Sequence, residues 1–346
     1  MYQLQSGQRD SWIDLLKQFF ARLWWILSCC GFLKKKPVVW FRDGQLKLTI
    51  VRQIAEGGFS FVYLGRDDQR NLYAVKKLLI QTPEQQDAAK WEIDVMNSVS
   101  GPTLLSLLDS KTVPHESNPR FSYVYMLFPY IERGTLHDIV HRMKKANMSL
   151  SETDILTIFR GICQAVLVLH RKNPPWIHAD IKLNNVLIDD QNRPLLMDFG
   201  SVSEARKKIK SRQEAIRLEE WAAENCTSSF RAPELFDCES DCFVDERTDV
   251  WSLGCVLYGM AFGNSPFEQL DDAGFNIKLA VRSPENHITI PFDSRYSTMF
   301  CELFRWMLAP KLQDRPFVDH IIVRIDKIMK NHVAGLSIES PMVSVG

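Results

Sequence analysis

Apolar and polar positions fall into two regimes along this chain, a strand-like one early and a helix-like one later. From Leu46 to Ile54 apolar and polar residues alternate and β-branched residues are frequent, which predicts a strand. Gln85 to Val99 carries apolar residues at helical spacing and predicts a helix, with Glu92 and Asp94 on it. Gly101 to Pro119 reads as a strand and an exposed connection. Phe121 to Tyr130 is an apolar run of strand length. Ser151-Glu152-Thr153-Asp154 resembles a capping box opening a helix to His170, apolar on more than one side and therefore deeply buried. Val186-Leu187-Ile188 and Leu195-Leu196-Met197 read as short strands, with Asp189 to Asn192 as the turn of a hairpin. Ser211-Arg212-Gln213-Glu214 is a second capping box, starting a helix to about Glu224 with Ala215, Leu218, Trp221 and Ala222 along one face. Another buried helix begins at Asp249-Val250-Trp251. Strand-like and helix-like stretches thus share the chain, an α+β pattern.

Trp12 to Leu33 is amphipathic. Trp12, Ile13, Leu15, Leu16, Phe19, Phe20, Leu23, Trp24 and Leu27 recur at helical spacing, with Asp14, Lys17, Gln18 and Arg22 opposite. The uninterrupted apolar run, Leu23 to Phe32, is shorter than the ~20 residues a spanning helix needs. No secretory signal is legible, since neither a leading basic region nor a small-residue cleavage site is clear. The segment is expected to lie in a membrane interface, with Cys29 and Cys30 as S-palmitoylation candidates and Lys34-Lys35-Lys36 on anionic headgroups. Packing on the body of the protein, with two inert thiols, is the alternative. Tyr2 stands where N-myristoylation requires Gly. Residues 1–44 are thus a membrane-associating amphipathic and basic segment that contacts the membrane through 12–36. Residues 331–346, which show no periodicity, are expected as a flexible tail.

A length of 346 residues suits roughly two units on a prior of about 150 residues each. The formal net charge of zero gives no global field toward nucleic acid, so no nucleic-acid partner is expected. The eight cysteines form no disulfide framework. Cys163 and Cys255 sit in apolar helical runs and read as small buried hydrophobes in a reducing compartment. Cys238 and Cys242 lie four apart without a matching Cys or His pair, a thin basis for zinc.

The chemistry concentrates at His178-Ala179-Asp180-Ile181-Lys182-Leu183-Asn184-Asn185-Val186-Leu187, followed by Asp198-Phe199-Gly200. An aspartate, a lysine two residues on, an asparagine three further and then Asp-Phe-Gly is the order of phosphoryl-transfer groups in protein kinases. Upstream stand Ile54-Ala55-Glu56-Gly57-Gly58-Phe59-Ser60-Phe61-Val62 and Tyr73-Ala74-Val75-Lys76. Downstream stand Ala232-Pro233-Glu234, Asp249-Val250-Trp251 and Asp314-Arg315-Pro316. Over roughly Leu46 to Met329 the chain resembles the protein kinase superfamily. Glu56-Gly57-Gly58-Phe59-Ser60, Arg133-Gly134-Thr135-Leu136, the helix Ser211–Glu224 before Cys226-Thr227, and Asp245 to Cys255 resemble the Numb-associated kinase family within it.

That resemblance implies a bilobal protein kinase domain over residues 45–330, with a β-rich N-lobe (45–131) holding one main helix and an α-helical C-lobe (132–330). It implies ATP and Mg²⁺ as cofactors, protein substrates and serine/threonine specificity. Asp180 and Lys182 would be catalytic, and Asn185 and Asp198 would hold the metal, a hard cation that takes oxygen ligands. ATP would meet Ile54, Ala55, Glu56, Gly57, Gly58, Phe59, Ser60, Val62, Ala74, Lys76, Glu92, Pro129, Ile131 and Leu187, with Phe128 behind the pocket. Lys77 points to the other face of its strand. Glu92 is the expected partner of Lys76, with Asp94 as the competing acid. Structural roles fall to Thr227 (bridging Asp180 and Lys182), Asp249 (on the catalytic-loop backbone) and the pair Glu234–Arg315. Two departures matter. Ala55 and Ser60 stand where the family's glycine-rich loop carries Gly. Ala179 stands where most such kinases carry Arg, which argues against switching by activation-loop phosphorylation. The localisation implied is the cytoplasmic side of membranes, Golgi, other endomembrane or plasma membrane. A catalytically weak pseudokinase scaffold is the alternative function.

Overall fold

The computed structural model describes residues 37–57 and 60–338. Six antiparallel strands form one sheet in the order β1-β2-β3-β4-β6-β5: β1 (Val38–Phe41), β2 (Leu46–Glu56), β3 (Ser60–Arg66), β4 (Leu72–Ile80), β5 (Asp109–Pro114) and β6 (Ser122–Pro129). Alternation along β4 sends Val75 into a small core with Phe41, Leu48 and Leu127, and Lys76 to the opposite face.

Helix α1 (Pro83–Ser98) crosses between β4 and β5. Thr82 caps it by accepting from the Gln85 N–H, and Pro83 occupies the first turn, where a missing N–H costs nothing. Its buried face is Ala89, Glu92, Val95 and Met96, whereas Asp94 is exposed. A carboxylate on the core face of a helix requires a partner.

The second layer is helical. It comprises α2 (Leu136–Lys145), α3 (Glu152–His170), α4 (Arg212–Asn225), α5 (Arg247–Phe262), α6 (Glu268–Asp272), α7 (Ile277–Ala280), α8 (Thr298–Met307) and α9 (Val318–Ile338). By length and composition α3 could cross a membrane, yet it is the core helix of this layer, with Ile155, Leu156, Phe159, Val166 and Leu169 fully buried. Each such side chain contributes about 1.5–3 kcal/mol by leaving water. Gly161 lets α3 approach the hairpin that carries the chemistry. A Cβ there would stand 2.6 Å from Pro194 Cγ.

That hairpin is β8 (Val186–Ile188) with β9 (Pro194–Leu196), in the register Val186↔Leu196, Leu187↔Leu195 and Ile188↔Pro194. Asp189 holds its turn by accepting from the Gln191 and Arg193 N–H groups. Two further two-stranded pairs are separate from it: β7 (Trp176–Ile177) with β10 (Ser203–Glu204), and β11 (Lys207–Ile209) with β12 (Cys242–Val244).

The sheet begins at Val38 and not after residue 44, because Val39 and Phe41 belong to its apolar face and pair with Leu48 and Leu46. The boundary expected at 45 therefore moves upstream. Helix α2 was not expected. A capping box between Thr135 and Asp138 starts it. The backbone of α9 stays helical to Ile338, into the segment expected as a flexible tail from 331, since extending an existing helix needs no new nucleus. The expected amphipathic helix 12–33, with Cys29 and Cys30, lies outside the described residues, as do Gly58, Phe59 and 339–346.

Candidate active site

Between the sheet and the helical layer lies a cleft of about 850 Å³. Ile54, Ala55, Glu56, Gly57, Ser60 and Val62 form its roof, Ala74 and Lys76 its inner wall, Phe128, Pro129 and Ile131 its rear edge, and Leu187 its floor. The β2–β3 turn closes on itself, the Gly57 N–H donating to Ser60 O at 2.8 Å.

Lys76 meets Glu92, with Nζ–Oε1 at 2.6 Å, and its Nζ also reaches Asp198 Oδ1 at 3.3 Å. The exposed Asp94 takes no part. Lys77 points the other way, its Nζ 3.7 Å from the centroid of the Tyr123 ring. Burial alone would push the Lys76 ammonium down, but Glu92 and then Asp198 outweigh it and hold it charged well above the ordinary lysine range. Burial likewise pushes Glu92 up, and Lys76 offsets only part of this. For Asp198, burial pushes up but the charge on Lys76 prevails, leaving it below the ordinary carboxylate range.

The catalytic loop is fastened from beneath. Asp249, near the start of α5, accepts from the His178 N–H (2.8 Å), the Ala179 N–H (3.0 Å) and His170 Nε2 (3.0 Å). The Asp180 N–H donates to His178 Nδ1 at 3.3 Å, and His178 Nε2 donates to Met197 O at 3.1 Å. These two bonds fix the imidazole as the neutral Nε2–H tautomer and tie the loop to the end of β9. Ala179 (φ 69°) and Asp198 (φ 65°) are left-handed, which costs a non-glycine residue about 1–2 kcal/mol. The Asp249 bonds hold the first, and the Lys76 contact meets the second.

The Asp180 carboxylate is ringed by donors. Lys182 Nζ lies 2.7 Å from Oδ2, Asn185 Nδ2 donates to Oδ2 (3.0 Å), and the Thr227 hydroxyl (2.6 Å) and N–H (3.1 Å) donate to Oδ1. Thr227 Oγ1 also accepts from Lys182 Nζ at 2.8 Å, so it bridges the two. Asn185 Nδ2 donates to Asp180 O as well (2.8 Å). Below this floor Arg315, fully buried, makes two 2.8 Å bonds to Glu234.

Every sequence-predicted site residue within the described residues thus lies in the cleft or its support. Sequence reasoning missed His170, His178 as a linker, and Trp91, whose Nε1 donates to Val202 O at 2.7 Å just past Asp198-Phe199-Gly200. A large aromatic on the outer face of a helix was the available signal for Trp91.

Residues 48–324 match the protein kinase domain model. The chain is similar to serine/threonine-protein kinase 16 of Rattus norvegicus, at 36% identity over 288 residues that cover 82% of this chain and 90% of the relative. The human protein of that name is 35% identical over the same spans. A probable serine/threonine-protein kinase of Dictyostelium discoideum is 31% identical over 357 residues, covering 84% of this chain and 96% of the relative.

Proposed function

The chain belongs to the protein kinase domain family and is a serine/threonine-protein kinase, and on that premise we propose how its residues carry out the transfer. The observation that carries the reading is convergence: Lys76, Glu92 and Asp198 form one bonded triad on the cleft wall, and Asp180, Lys182, Asn185 and Thr227 form another group that meets the same cleft through Asn185. Kinase domains use ATP and Mg²⁺. Among the described residues Asp198 Oδ2 and Asn185 Oδ1 take no hydrogen bond, and two unpartnered hard oxygens on one cleft wall fit Mg²⁺. The metal would supply neutralisation of phosphate charge there. Lys76 steadies the nucleotide phosphates. Asp180 accepts the proton of the substrate hydroxyl as its oxygen bonds to the γ-phosphorus and the bond to the leaving diphosphate breaks. Lys182 stabilises the charge that develops. Pro129 and Ile131 offer a carbonyl and an N–H to the adenine.

Asp180→Asn is expected to lower kcat by ~10²–10⁴-fold, the usual worth of a positioned general base. Incorporation of radiolabel from ATP into a generic basic protein, wild type beside Asp198→Ala, is the decisive assay. Equal incorporation by the two would sink the catalytic reading and leave the pseudokinase scaffold.

The finer reading is a membrane-associated kinase of the Numb-associated type, resembling the myristoylated and palmitoylated serine/threonine kinase and sited on the cytoplasmic face of an endomembrane or the plasma membrane. Residues 12–36 with Cys29 and Cys30 serve as the anchor. Vesicles containing phosphatidylserine should sediment the full chain, and Lys34, Lys35 and Lys36→Glu should release it. Ala179 supports activity without activation-loop phosphorylation. Phosphatase treatment should leave the rate unchanged, and a collapse would refute this.

A further inference from the structure

Cys238 Sγ and Cys242 Sγ lie 3.7 Å apart. Cys163 and Cys255, by contrast, are wholly enclosed in α3 and α5. Cys238 follows the turn at Pro233–Leu235, and Cys242 opens β12 opposite Ile209 of β11. Asp241 between them is left-handed (φ 59°), which folds the connection back and brings the sulfurs together.

The site is fastened to α4. The Cys238 N–H donates to Glu219 Oε1 at 3.0 Å, Arg212 Nη1 donates to Cys238 O at 3.1 Å, and Arg212 pairs with Glu219 at 3.0 Å. Cys238 is buried, whereas Cys242 is only half-buried. An oxidant arriving from solvent therefore meets Cys242 first, with Cys238 behind it. Burial, and then the neighbouring Cys242, push the Cys238 thiol up to about 12, so it keeps its proton until it reacts. A disulfide needs sulfurs at ~2.05 Å, a closing of less than 2 Å that side-chain rotation can supply.

We propose that Cys238 and Cys242 are an oxidisable dithiol, a modification site for hydroperoxides at the base of α4. The Cys242 sulfur gives up its proton and attacks one peroxide oxygen, the O–O bond breaks, and that proton goes to the departing oxygen, leaving a sulfenic acid on Cys242 and one alcohol (or water). Cys238 then loses its proton and attacks Cys242 Sγ, and a second water leaves. Two thiols and one hydroperoxide thus give one disulfide, one alcohol (or water) and one water. A reducing compartment permits such a bond transiently, and dithiol reductants reverse it. The ring that closes spans Cys238 to Cys242 and lies outside the nucleotide cleft.

The test uses the full native chain and hydrogen peroxide, followed by alkylation, trypsin digestion and mass spectrometry. The peptide Ala232 to Arg247 should lose two hydrogens, resist alkylation, and recover both thiols with dithiothreitol. Phenylarsine oxide, which captures neighbouring thiol pairs, should add once to the Ala232 to Arg247 stretch of the reduced protein, in addition to any capture by Cys29-Cys30, and block that change. Cys242→Ser should leave Cys238 unoxidised, and Cys238→Ser should drive Cys242 on to sulfinic acid. The proposal is overturned if both thiols remain alkylatable while other cysteines oxidise. It also fails if the wild-type peptide carries only sulfinic or sulfonic acid, or if the Ala232 to Arg247 peptide takes up no arsenical. The wild-type measurements stand alone should either variant fold poorly.

Discussion

The catalytic loop (178–185) and the activation segment (203–227) end at the same place, the Asp180 carboxylate and the Thr227 hydroxyl 2.6 Å from it, yet they are held in opposite ways. The loop is anchored by buried groups: in the His170–Asp249 contact the side chains are 5% and 1% exposed. The segment is anchored by two arginines that are more than half exposed, Arg206 on Glu246 and Arg212 on the carbonyl of Cys238. The loop holds a left-handed alanine, whereas residues 203–227 contain no non-glycine residue of positive φ. Strain persists where low dielectric makes each anchoring bond expensive to lose. Where water competes, the chain settles into unstrained backbone and spreads its hold over many weak contacts. The loop is thus held by bonds that water does not reach and the segment by bonds that it does.

The sharpest test removes the buried anchor. Asp249→Ala strips partners from the His178 and Ala179 N–H groups and from His170, at about 1–3 kcal/mol for each buried orphan. The expected result is a large fall in thermal stability and, in the folded fraction, a kcat reduced at least ~100-fold, because Ala179 has lost what holds its conformation. Unchanged kcat would mean that the loop keeps its shape without Asp249. Next in size is the junction. Thr227→Val keeps the shape and deletes the hydroxyl shared by Asp180 and Lys182. Bonds to charged groups are worth ~1.5–3 kcal/mol, so kcat/KM should fall roughly 10–100-fold, with Thr227→Ser close to wild type. Equal rates for the two variants would show that the segment does not help place the loop.

The difference between the regions also explains what could be read from the sequence. Lys76, Glu92, Asp180, Lys182, Asn185 and Asp198 were legible because the chemistry demands those residue types at that spacing, and Glu92 was separable from Asp94 by helical period alone. The helix Arg212–Asn225 was legible because its Ser211 cap and apolar face are local. Strand β1 was missed because four residues beside an amphipathic stretch carry little periodic signal, and its partner β2 supplies the reason it is a strand. The roles of His170 and His178 were illegible for another reason. Each depends on a contact with another element, Asp249 at 79 residues for one and Met197 at 19 for the other, and spacing along the chain does not encode it.

The smaller effects belong to the segment. Lys207 Nζ sits 4.6 Å from the centroid of the Trp221 ring, tying β11 to α4. A cation over an aromatic ring contributes ~0.5–2 kcal/mol, so Trp221→Ala should loosen the segment and raise KM for a protein substrate, with KM for ATP unchanged. A matching rise in KM for ATP would show that α4 communicates with the nucleotide cleft. Smaller still is Ser211→Ala. The Ser211 hydroxyl accepts from the Glu214 N–H at 3.3 Å, and losing such a cap costs ~1 kcal/mol. One kcal/mol is roughly a fivefold change in an opening equilibrium. Amide exchange in α4 should therefore quicken about fivefold, while the amides of His178 and Ala179, bonded to Asp249, keep their rates. If the loop amides quickened in step with α4, loop and segment would open as one cooperative unit, and the separation between a buried anchor and a wet one would have no energetic meaning.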